Sequence, residues 1–72
     1  MERYLNRSGN SPVTYYQIND LSITVWFKGA SSTYTYSYSK AGSMHVENMK
    51  KHAISGSGLS AYITQNVKFS YD

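Results

Sequence analysis

The stretch Leu21–Tyr38, LSITVWFKGASSTYTYSY, decides the fold. Apolar residues alternate in its first half: Leu21, Ile23, Val25 and Phe27 share one side, and Ser22, Thr24, Trp26 and Lys28 the other. A period of two marks a half-buried strand, and branched and aromatic residues suit a pleated surface. Gly29–Ser32 is small and polar, with a glycine free to take positive φ, so the chain turns there. Alternation then returns, with Tyr34, Tyr36 and Tyr38 set against Thr33, Thr35, Ser37 and Ser39.

Pairing parity within this hairpin sets which surface is left for function. Phe27 opposite Tyr34 puts Val25 against Tyr36 and Ile23 against Tyr38. The tyrosines then join the aliphatic side and leave a Ser/Thr surface carrying Trp26 and Lys28. A slip of one residue sets the tyrosines beside Trp26 instead. The first register is expected, because it gathers the apolar area on one side and leaves the loop Gly29–Ser32.

Upstream, Val13–Ile18 (VTYYQI) reads as a first strand, with Pro12 at its start, where a missing N–H matters least. Asn19-Asp20 turns the chain into the second strand. Residues 1–10 are polar and are expected to form a loose, flexible N-terminal segment outside a single domain of residues 11–72. Downstream, Lys40-Ala41-Gly42 is a connector and Ser43 a helix N-cap. Val46, Met49 and Ala53 recur as one face of a helix, which Ser55–Gly58 stops. A second helix runs from Leu59 through Tyr62, Ile63 and Val67.

The expected fold is therefore α+β: a three-stranded antiparallel meander followed by two helices packed on one face. Its core should hold Leu21, Ile23, Val25, Phe27, Tyr36, Val46, Met49, Ala53, Leu59, Ile63 and Val67. Two short helices cover one sheet face only, so Trp26 should be the largest apolar group left partly wet.

At 72 residues the chain makes one domain with a marginal core. No cysteine supports it, but 15% aromatic residues partly offset that. No apolar run approaches membrane-spanning length, and the first ten residues lack the apolar centre of a signal peptide. The expectation is a cytoplasmic protein with no membrane partner. A net charge of +3 mildly favours anionic partners, but such a charge more often serves solubility alone.

Catalytic apparatus is not visible. The four acids are Glu2, Asp20, Glu47 and Asp72, and no pair of them is expected to converge for acid–base work. His45 and His52 sit about 10 Å apart along a helix axis, too far to share a metal ion without a third element. They are expected to be solvent-side. Gly56-Ser57-Gly58 lacks the third glycine and the βαβ setting of a dinucleotide fingerprint. The sequence implies no enzyme, no cofactor and no metal.

Ser11, Leu21, Val25, Phe27, Gly29, Tyr34, Tyr36, Ala53, Gly56, Gly58, Leu59, Tyr62, Ile63, Val67 and Tyr71 follow one another in an order that resembles the KTSC domain, over residues 11–71. That small domain is named for its place at the C-terminus of some lysyl-tRNA synthetases, and it also stands alone in bacteria and their phages. The resemblance implies a small non-enzymatic binding module with no catalytic residues to carry over. It also implies contact with RNA, by analogy with the synthetase.

The candidate binding surface is the outer sheet face with Trp26, Lys28, Thr24, Thr33 and Thr35. Aromatics and hydroxyls on a sheet with cations nearby stack single-stranded bases in several RNA modules. The same surface serves a protein partner or self-association, and Trp26 half-covered by Lys28 and a first-strand Tyr would be an ordinary wall. Lys40, Lys50, Lys51 and Lys68 are the candidate basic contacts. Clustered, they favour nucleic acid; scattered, they favour a protein partner.

Overall fold

Four antiparallel strands lie in the order β1 (Glu2–Arg3), β2 (Val13–Asn19), β3 (Ser22–Phe27) and β4 (Thr33–Ser37), in a computed structural model that describes residues 1–72. Helices α1 (Tyr38–Ala41), α2 (Ser43–Ser55) and α3 (Leu59–Tyr62) follow, and a π-helical turn, Ile63–Val67, continues α3. The α+β class and the meander are as the sequence predicts. The strand count is corrected from three to four, and the helix count from two to three, because Lys40-Ala41, expected in a connector, lie in α1.

The alternation of β3 buries Ile23 and Val25 completely. Phe27 is only half-buried and packs against the core from its rim. Leu21, expected inside, is 64% exposed. Asn19 pairs with Ser22, so Leu21 lies in the two-residue turn between β2 and β3, where the pleat no longer directs its side chain inward.

The hairpin keeps its expected parity but not its expected register. Ile23 faces Tyr36 and Val25 faces Tyr34, two residues away from the anticipated pairing. Gly29, at φ +78°, supplies the conformation needed at the third position of a type II turn, and the Ala30 N–H donates to the Phe27 carbonyl at 3.2 Å. The Trp26–Thr33 pairing centres the reversal on Gly29–Ala30 rather than Ala30–Ser31. Tyr36 becomes a core residue, and Tyr38 leaves the sheet to open α1.

Residues 1–10, expected to lie loose, are built into the fold. Arg3 pairs with Tyr15 and Glu2 with Tyr16, and the Tyr4 N–H donates to the Thr14 carbonyl at 2.9 Å. The Tyr4 side chain is 3% exposed, and its hydroxyl accepts the N–H of Leu59 at 3.3 Å. Arg7 then caps the far end of α2: its backbone N–H donates to the Gly56 carbonyl at 2.8 Å and its Nε to the Ser55 carbonyl at 2.7 Å.

Val46, Met49 and Ala53 bury one face of α2 against the sheet. Gly56 ends the helix at φ +76°, donating to the His52 and Ala53 carbonyls, while the Ser57 N–H also reaches His52 O. At the other end Gly42, not Ser43, is the N-cap. It separates α1 from α2, and Ser43 is already helical. Leu59, Ile63 and Val67 are buried at a spacing of four. That spacing drifts by about 40° per step on an ordinary α-helix, and the wider π turn takes up the drift.

Both sheet edges are blunted. β1 is two residues long and charged, and along β4 the Asp72 N–H donates to the Thr35 carbonyl at 2.8 Å.

Candidate functional site

The helices cover the side of the sheet that carries Ile23, Val25 and Tyr36, and leave the other side open. On that open side, cross-strand pairing places Arg3, Tyr15, Trp26 and Thr33 in one row running across all four strands. The adjacent row is Gln17, Thr24 and Thr35. Trp26 is half-buried and belongs to no part of the core cluster. The hydroxyls of Thr24 and Thr35 meet at 2.9 Å, a cross-strand pair that holds the second row flat beside the first.

The sequence-predicted set of Trp26, Thr24, Thr33 and Thr35 is thus brought together on one face. Lys28 stands just past the end of β3, its backbone N–H donating to the Pro12 carbonyl at 2.7 Å, with an exposed side chain. No carboxylate stands in either row.

Of two further members of the face, Arg3 escaped the sequence reading, and the first-strand Tyr expected beside Trp26 is Tyr15 rather than Tyr16. Tyr15 lies opposite Trp26 because the register shifts between Val13 and Tyr15. Thr14 is the inserted residue of this β-bulge, and its hydroxyl donates to the Trp26 carbonyl at 3.1 Å. The bulge puts Val13 inside and Tyr15 outside, although the two are separated by one residue. Arg3 arrives with β1, which pairs with β2 through Tyr15 and Tyr16. Two adjacent tyrosines, Tyr15 and Tyr16, put one ring on each face of β2, and nothing in the sequence marks Arg3.

The four candidate lysines do not join this face. Lys50 is occupied on the helical side, 3.0 Å from Glu47, donating to the Asp20 carbonyl and lying 5.7 Å from the centre of the Tyr38 ring. The Tyr38 hydroxyl also donates to Glu47. That bond, with Lys50 beside it, holds the Glu47 carboxyl below its usual range, and Glu47 in turn raises the Tyr38 phenol. Lys40 lies in the last turn of α1 and Lys51 is exposed on α2. Lys68 follows the last helical turn, over the ring of Phe69.

The histidines are not free on the solvent side. His45 Nδ1 is 2.7 Å from the Tyr62 hydroxyl, which also accepts from Asn48 at 3.1 Å, and the His52 ring lies 5.2 Å from the Tyr62 ring. His52 Nδ1 is 3.0 Å from the Ser57 carbonyl. The cluster joins α2 to α3 and closes the turn between them, which is a packing role.

No helix is long and apolar enough to cross a membrane. No protein-family model, no curated protein and no solved structure matches this chain.

Proposed function

We propose that the chain is a non-enzymatic binding module of the KTSC type whose open sheet face takes up single-stranded RNA. The observation that carries this is the row Arg3–Tyr15–Trp26–Thr33. Two aromatic side chains stand in register on neighbouring strands with a guanidinium beside them and Lys28 at the strand end. Bases stack on such rings whatever their sequence, while cations at the margin meet the phosphates. The hydroxyls of Thr24, Thr33 and Thr35 add acceptors and donors for base edges or the 2′-OH. The family reading is supported by the roles its residues play. Gly29, Gly56 and Gly58 all hold positive φ, and Tyr36, Ala53, Leu59, Ile63 and Val67 are all core.

Anisotropy of a labelled single-stranded RNA decamer tests the reading. Two phosphate contacts, from Arg3 and Lys28, give a roughly sevenfold loss of affinity when salt rises about fourfold, from the slope for single strands. Trp26→Ala and Arg3→Gln should each weaken binding while the variants stay folded. An oligonucleotide that fails to bind at low salt would sink the proposal.

The dispersal of Lys40, Lys50, Lys51 and Lys68 favours a second reading, in which the same face docks on a protein. In that case a stoichiometric, salt-insensitive protein complex takes the place of RNA binding, and Trp26→Ala abolishes it.

A further inference from the structure

A cavity opens between β4 and the C-terminal stretch, away from the Trp26 face, with a volume of about 390 Å³. Its walls are rings. Phe27 meets Tyr34 edge-on at 5.5 Å, Tyr34 meets Tyr71 edge-on at 4.9 Å, and Tyr36 forms the floor. Phe69 stands at the mouth, 78% exposed, with Lys68 over it at 5.4 Å. Lys68 is the one charged side chain lining the cavity.

The floor carries a polar group. Tyr36 is 2% exposed, yet its hydroxyl makes no hydrogen bond within the chain. Every fully enclosed side-chain oxygen or nitrogen in the molecule has a partner. The thin accessible strip of Tyr36 therefore includes the hydroxyl, which meets whatever fills the cavity. There it can donate to an acceptor on a bound ligand. Burial, with Tyr34 and Tyr71 alongside, pushes the phenol up to about 12, so it stays a donor at neutral pH.

We infer that this cavity is a binding site for a small planar aromatic anion, its ring held edge-on among Phe27, Tyr34 and Tyr71 and its acidic group shared between the Tyr36 hydroxyl and the Lys68 ammonium. Volume, ring-lined walls and a few convergent polar groups are what small-molecule sites have in common. With one cation and no carboxylate in the lining, an anion is preferred to a neutral or cationic ligand of the same shape.

The inference is independent of RNA binding at the other face, and indole-3-acetate is a suitable probe. Titrated into the ¹⁵N-labelled chain, it should shift amides of Phe27, Tyr34–Tyr36 and Ile63–Tyr71 saturably, and tryptamine, its cationic counterpart, should not. Tyr36→Phe removes only a hydroxyl that bonds nothing in the chain, so the fold stands. Tyr36→Phe and Lys68→Met should each weaken binding about tenfold, the loss expected for one hydrogen bond to a charged group. Absence of saturable shifts, equal binding of tryptamine, or unchanged affinity in both variants would each overturn the assignment.

Discussion

Gly56→Ala is the substitution that tests whether the first ten residues are part of the fold. Gly56 holds φ +76°, and a Cβ built there would lie 2.5 Å from Leu5 Cβ. The backbone conformation alone costs about 1–2 kcal/mol for an L-residue. The clash adds about 1–3 kcal/mol as overpacking, and it resists relief because the atom met is a Cβ rather than the end of a flexible side chain. Together these give about 2–5 kcal/mol, against a total of about 4–11 kcal/mol expected for a domain of this size. Urea unfolding of the wild type, Gly56→Ala, Leu5→Gly and the double variant separates the two parts. Leu5 is 61% exposed, so its own removal costs little packing. In the double variant the clash disappears and only the conformational cost persists, a coupling of about 1–3 kcal/mol. A coupling below about 0.5 kcal/mol would mean that Leu5 does not sit over Gly56 and that the N-terminal segment is not docked there.

Phe27→Ala should destabilise by about 2–3 kcal/mol, less than the ~3–5 kcal/mol of a fully enclosed ring because Phe27 is half-buried at the rim, and an unchanged thermal midpoint would contradict its place against Tyr34. In alkaline titration followed by tyrosinate absorbance, one of the eight tyrosines should ionise last, near pH 12, and Tyr36→Phe should remove that step. Because the Tyr36 phenol is raised on folding, its contribution to stability is complete below about pH 10, the unfolded value, and is lost as pH rises toward 12. Loss of stability across that window should therefore be smaller in Tyr36→Phe than in the wild type.

Much of the fold is legible in the alternation of LSITVWF and TYTYS and in the spacing of Val46, Met49 and Ala53. Those periods are properties of single elements, and the faces they assign agree with the burial of Ile23, Val25, Tyr36 and the α2 residues. What the sequence does not disclose depends on contacts between elements. Tyr4 is one apolar residue in a polar segment and has no period to betray it. It is buried because β1 reaches β2 and its hydroxyl reaches Leu59. The bulge at Thr14 reverses the apparent parity of Val13–Ile18, which hides Tyr15's place beside Trp26. Leu21 fits the alternation of β3 by count, but a two-residue turn claims it first. The Ser/Thr face with Trp26 and a first-strand Tyr was therefore legible, while the choice of Tyr15 over Tyr16 and the presence of Arg3 were not.

Trp26 is the single tryptophan of the chain, so its fluorescence reports on the proposed binding face alone. Acrylamide quenching on the dilute protein, with and without saturating single-stranded RNA, therefore reads directly whether RNA covers that face. The indole should be quencher-accessible in the free chain, become shielded when RNA is added, and be exposed again at high salt. An indole inaccessible in the free chain, or one whose quenching RNA leaves unchanged, would contradict the proposed RNA binding.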